Sequence, residues 1–185
     1  MNIPNLLTLL RVLLIPLLVI FLMEGRKDYA LMVFMAAAVS DGLDGFIARV
    51  FRQKTQFGAY IDPIADKLLI GTSYVTLAIL DVMPGWMAVL VVSRDVIILV
   101  GIAILLLNDR DISISPVIDS KLTTLLQLLL VIYFLGYETL PFPAQLKNYL
   151  LFFTAGMTLF SWFHYIVLGL SSLGSNSTGE NQDTR

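Results

Sequence analysis

Apolar residues in this chain neither alternate nor gather on one face of a helix. They run in long blocks broken by short polar clusters. The blocks cover residues 4–23, 29–51, 57–80, 84–107, 120–137 and 146–170. A helix of about twenty residues, rising about 1.5 Å per residue, covers roughly the 30 Å hydrocarbon layer of a bilayer. The pattern therefore predicts an all-α fold, an integral membrane bundle of six transmembrane helices. Pro4 suits a first helical turn, whereas Pro16 should loosen the helix that contains it. The first block has no basic leader and no small-residue cleavage site, so it reads as a retained helix and not as a signal peptide. Residues 1–170 thus form one membrane domain, and the polar residues 171–185 are expected to be a disordered tail. No internal repeat is evident, which does not support an inverted-repeat transporter.

Composition agrees with this picture and removes several alternatives. Hydrophobic residues make up 57% of the chain and charged ones 14%. The mean hydropathy of +0.83 is too high for a soluble domain of this size. A net charge of −2 leaves no basic stripe for phosphate backbones, so nucleic acid is not expected as a partner. The absence of cysteine rules out disulfides, thiolate metal sites and cysteine nucleophiles. With six spans both termini lie on one side. Arg49, Arg52, Lys54, Arg110 and Lys121 share that side, against Arg26, Lys27 and Lys147 on the other. This bias predicts that the termini are cytoplasmic.

One stretch resists the apolar pattern. From Asp41 to Asp66 the chain reads DGLDGFIARVFRQKTQFGAYIDPIAD, with four carboxylates beside membrane-grade sequence. An unpaired Asp at the centre of a membrane helix costs about 2.5 to 3.5 kcal/mol, so the cluster implies a partner and a function. Asp41 and Asp44 are three residues apart and Asp62 and Asp66 four, so each pair shares a helix face. Both pairs lie toward the cytoplasmic side. One or two divalent cations are the economical counter-charge, and oxygen-only ligands favour Mg2+ or Mn2+ over Zn2+. Gly45 and Ala48 share the first carboxylate face and Gly58 the second, where a backbone or flat ligand can approach closely. The same small residues would also suit ordinary helix packing. Arg49 sits just beyond, placed for an anionic group. Arg11, two turns into the first helix, either snorkels to the interface or faces the carboxylates.

The string D-x2-D-G-x2-A-R-x8-G-x3-D-x3-D is met by Asp41, Asp44, Gly45, Ala48, Arg49, Gly58, Asp62 and Asp66. It resembles the signature of the CDP-alcohol phosphotransferase family. The opening NIPNLLTLLRVLLIP and the DPIADK run are similar to the family's bacterial phosphatidylglycerophosphate synthase branch. The resemblance implies six transmembrane helices in the bacterial inner membrane, two metal ions at the cytosolic edge held by Asp41, Asp44, Asp62 and Asp66, and a homodimer. It implies phospholipid synthesis in which Asp66 is the general base and CDP-diacylglycerol the donor. It also places Pro4, Asn5, Gly45, Ala48, Arg49 and Thr55 around the cytidine diphosphate, with Thr8, Arg11 and Gly58 as further candidates. No Ser, Cys or His nucleophile is required, which favours direct transfer.

The acceptor is less determined. Arg94 and Lys121, with Thr124 and Gln127 about a turn along, would make an anion pocket suited to glycerol 3-phosphate. Against this, Arg94 could instead snorkel or pair with Asp95. Ser93-Arg94-Asp95 and Ser120-Lys121 resemble the family's cardiolipin synthase branch, whose acceptor is phosphatidylglycerol. His164, the single histidine, lies among Phe160, Trp162, Phe163 and Tyr165 and reads as interfacial filler. A cation transporter would spread carboxylates along several helices near mid-bilayer, and a prenyl diphosphate enzyme would carry denser runs such as DDxxD. Neither pattern is present.

Overall fold

The computed structural model describes residues 3–50, 56–107 and 118–174, with side chains described for residues 8–42, 65–100, 120–143 and 145–167. Six α-helices and no strand occur among the described residues: α1 (Ile3–Met23), α2 (Lys27–Val50), α3 (Gln56–Ile79), α4 (Gly85–Leu107), α5 (Ile118–Gly136) and α6 (Ala144–Gly174). The all-α expectation holds, and each helix begins and ends within a few residues of its apolar block. At its far end α6 continues through Gly174, so the first residues expected in the tail are helical. Residues 175–185 lie outside the described residues.

Among the described residues one stretch, Gln145–Val167, is both long and apolar enough to cross a membrane. Thr8–Met23 and Ser120–Gly136 are apolar but shorter. The charged residues within α2 and α3 make these the two least apolar of the six helices.

The helices pack as a closed ring in the order α1, α3, α4, α6, α5, α2, and α3 also touches α5 across the middle. Within this ring α1 packs on both α2 and α3. Three tight turns, α1 to α2, α3 to α4 and α5 to α6, gather at one end of the bundle. Two of them are closed in the same way. The Gly25 and Arg26 amides donate to Leu22 and Phe21 carbonyls, and the Asp81 and Val82 amides donate to Ala78 and Leu77 carbonyls. This double bond pattern needs a left-handed residue after the helix, supplied by Gly25 (φ 73°) and by Asp81 (φ 54°). A Cβ makes that conformation costly, but a short acidic side chain tolerates it better than most.

The apolar core fills this end. Leu18, Leu22, Phe34, Leu69, Tyr74, Leu77, Met87, Leu130 and Leu135 are all buried in one cluster. Lys27 reaches Glu138 at 2.7 Å, tying the first turn to the third. Tyr133 donates to the Pro143 carbonyl at 3.1 Å and packs on Phe142. On the outside every helix presents large apolar side chains, among them Leu13, Met32, Leu68, Val89, Leu125 and Phe152.

Candidate functional site

The opposite end of the bundle has a different chemistry. In place of leucine and phenylalanine its interior holds Thr8, Arg11, Arg94, Asp95, Thr123 and Ser161, all buried. Arg11 projects from α1 with no exposed surface, and its Nη1 lies 2.6 Å from Asp41 Oδ1 on α2, whose side chain is 43% exposed. Of the two readings of Arg11, the structure selects the one in which it faces the carboxylates. Thr8, one turn earlier on α1, is buried beside it.

Asp66 on α3 is half-buried next to the fully buried Ala65. It lies within electrostatic reach of Asp41, Lys67, Arg11 and Asp95. Carboxylates from two separate helices therefore converge here, with α1 supplying a cation between them. Asp44 lies one turn further along α2 and Asp62 one turn earlier on α3. Pro4 and Asn5 lie on the first turn of α1, Gly45, Ala48 and Arg49 on the end of α2, and Gly58 near the start of α3. The side chains of these eight residues are outside those described, and Thr55 lies outside the described residues altogether. Among the described residues no group of three potential metal-ligating side chains is found.

The two described carboxylates offer oxygen alone, and the chain has no thiol. His164 packs against Phe160 on α6 with ring centroids 6.3 Å apart. Such a donor set fits a hard divalent cation.

A second charged group adjoins the first. Lys67, the residue after Asp66, places Nζ 2.5 Å from Asp95 Oδ1 on α4. Arg94 Nη1 donates to the same oxygen at 2.7 Å. The other terminal guanidinium nitrogen, Nη2, donates to Ser120 on α5 at 2.8 Å and to Ser161 on α6 at 3.3 Å. With Arg11 and Asp41 included, all six helices contribute to one polar layer.

The four residues expected around an acceptor phosphate take up different positions. Arg94 is wholly buried and engaged with Asp95. Thr124 donates to the Ser120 carbonyl of its own helix, and Lys121 is exposed. Gln127 is buried deeper, where its Nε2 donates to Thr158 and its backbone carbonyl accepts from the Tyr74 hydroxyl. The structure thus brings Arg94 to α5 through Ser120.

Lys67 was not among the residues singled out from the sequence, although a signal for its pairing exists. Lys67 lies 14 residues before Asp81 and Asp95 lies 14 residues after it. Equal arms on either side of a helical hairpin end at equal depth. The same symmetry relates Arg11 and Asp41, each 15 residues from Arg26.

Comparison with known proteins bears on what this layer serves. Residues 1–168 match the family model described as CDP-alcohol phosphatidyltransferase. A cardiolipin synthase (CMP-forming) of Rattus norvegicus is 32% identical over 184 residues, covering 89% of this chain and 61% of the rat protein. A probable phosphatidylglycerophosphate synthase of Mycobacterium tuberculosis is 38% identical over 100 residues, 51% of this chain and 48% of that protein. The CDP-diacylglycerol–glycerol-3-phosphate 3-phosphatidyltransferase of Bacillus subtilis is 30% identical over 161 residues, 77% of this chain and 82% of its own. The chain spans less than two thirds of the rat and mycobacterial proteins.

Proposed function

Because the chain belongs to the CDP-alcohol phosphatidyltransferase family, we infer that it is a membrane enzyme of phospholipid biosynthesis. It transfers a phosphatidyl group from CDP-diacylglycerol to glycerol 3-phosphate, releasing CMP. The observation that carries this reading is the convergence of Asp41 on α2 with Asp66 on α3 beside the buried Arg11. Both carboxylates belong to the eight-position string that resembles the family signature.

The chemistry can be divided among the chain's own residues. Asp41, Asp44, Asp62 and Asp66 would hold two Mg2+ or Mn2+ ions, in keeping with a family that is generally dependent on divalent metal. Bound there, the ions would neutralise the donor's diphosphate and make CMP a better leaving group. Pro4, Asn5, Thr8, Gly45, Ala48, Arg49, Thr55 and Gly58 line the cytidine diphosphate side of the site. Asp66 accepts the proton of the acceptor hydroxyl as that oxygen attacks the phosphorus bearing the lipid. The bond from that phosphorus to the CMP oxygen breaks, and CMP leaves with the electron pair. Arg94, Lys121, Thr124 and Gln127 lie on the α4 and α5 side, from which an anionic acceptor would be drawn in.

The outward-facing leucines, valines and phenylalanines support a bilayer setting for all six helices, since a soluble protein rarely exposes apolar surface so continuously. The basic residues flanking the carboxylate end support a cytoplasmic face for that end, and the family resemblance supports a homodimer in the bacterial inner membrane. A second reading keeps donor, metals and base but takes phosphatidylglycerol as acceptor, making cardiolipin. Relatives bearing both names favour keeping it. Purified protein in lipid nanodiscs, given CDP-diacylglycerol with Mg2+ and each acceptor in turn, decides the matter by CMP release. Release with glycerol 3-phosphate is the expected result, and release with phosphatidylglycerol alone would install the second reading. No release with either would overturn both.

A further inference from the structure

The polar layer contains one carboxylate that the transfer chemistry does not use. Asp95 is buried to 8% exposure and takes two cations on a single oxygen, Lys67 Nζ at 2.5 Å and Arg94 Nη1 at 2.7 Å. Its other oxygen, Oδ2, is buried with no hydrogen-bond partner among the described residues, as is Arg94 Nε. Two positive charges and one negative charge therefore occupy the α3–α4 contact. A buried carboxylate in that position is costly, and a well-packed apolar residue would often be as stable.

What Asp95 holds in place is informative. Lys67 follows Asp66 directly in the chain, and its ammonium rides on a flexible four-carbon stem with three donors. Asp66 has two cations within electrostatic reach among the described residues, Lys67 and Arg11. Each is already engaged by a different carboxylate, Arg11 by Asp41 and Lys67 by Asp95.

We propose that Asp95 is a positioning residue whose role is to restrain Lys67, drawing its ammonium onto α4 and away from Asp66. Asp66 is thereby left open to a metal ion and to the acceptor's proton. This inference rests on the reading of Asp66 as part of the reacting centre. Removal of the Asp95 charge frees Lys67 to pair with Asp66 and raises the buried charge from one net positive to two. Removal of the Lys67 charge as well returns it to one.

The test compares the full-length protein with Asp95→Asn, Lys67→Met and the double variant. Two readouts are followed. One is the rate of CMP release at saturating CDP-diacylglycerol. The other is the MnCl2 concentration that gives half of the metal-induced rise in Tm, which needs no substrate. Asp95→Asn should lose at least about tenfold in rate and need about tenfold more Mn2+, because an ammonium competes for a metal ligand. The double variant should recover both readouts to within about threefold of the parent, a rescue that lost packing alone would not give. Lys67→Met alone should stay within about threefold. If Asp95→Asn does not fold, the double variant should fold again, its charge count having been restored.

An unrescued double variant, a parent-like Asp95→Asn, or a severe loss in Lys67→Met would each overturn the proposal. The parent's own CMP release separates that failure from failure of the functional reading.

Discussion

The two ends of the bundle are built from the same six helices and put their interiors to opposite uses. At the end where the three turns gather, Leu18, Phe34, Leu77 and Leu135 are buried together and the turns are closed by backbone bonds and the Lys27–Glu138 pair. About 21 Å away, 14 residues at about 1.5 Å each, the interior is Arg11, Asp41, Asp66, Lys67, Arg94 and Asp95. Packing at the first end gains contact energy without desolvating charge. Burial at the second incurs a desolvation penalty of several kcal/mol per ion, offset only where partners are well placed. The apolar end therefore supplies the stability that lets the charged end be held in a geometry it would not choose alone.

Three substitutions probe that division. The largest effect belongs to Asp66→Asn, which should lower CMP release by about 100-fold to 10,000-fold, the range for loss of a positioned proton acceptor. Its Tm should stay close to that of the parent. A parallel fall in Tm would mean that the two ends do not divide stability from chemistry. Next comes Phe34→Ala, a fully buried side chain at the apolar end. It should destabilise by about 3 kcal/mol through the cavity it leaves, read as a shifted unfolding midpoint. The rate per folded molecule should remain that of the parent, and a rate loss well beyond the loss of folded protein would blur the comparison. Smallest is Asp81→Gly in the α3–α4 turn. By relieving a left-handed residue that carries a Cβ it should stabilise by about 1 kcal/mol. A lowered Tm would show that the Asp81 side chain contributes more than its backbone costs.

The sequence made the helices legible because apolar blocks long enough to span and polar breaks between them leave little freedom. It also pointed to Asp41 and Asp66, since three- and four-residue spacing predicts that Asp41 shares a helix face with Asp44 and Asp66 with Asp62. What it did not disclose was order around the ring. Arg11 meets Asp41 and comes within reach of Asp66 because α1 packs on both α2 and α3, and that placement is decided by packing between helices, not by the pattern within one. The pairing of Lys67 is hidden in the sequence for a related reason. A lone lysine after an aspartate names no partner until the α3–α4 hairpin is folded and brings Asp95 to the same level. From the sequence Arg94 reads both as an acceptor-binding group and as the partner of Asp95. Its bond to Asp95, the next residue on α4, is the pairing the sequence offered, whereas its bonds to Ser120 and Ser161 depend on α4, α5 and α6 meeting, which one-dimensional spacing does not encode.

The matched arms of the α3–α4 hairpin work as a ruler. Deleting one residue between Asp81 and Asp95 would swing the carboxylate by about 100° and pull it about 1.5 Å toward the turn, while Lys67 stayed where it was. Deleting one residue from each arm would keep the two at a common height. Chain length between that turn and the charged layer is therefore constrained as a pair of numbers, a bookkeeping of insertions and deletions that no inventory of individual side chains would reveal.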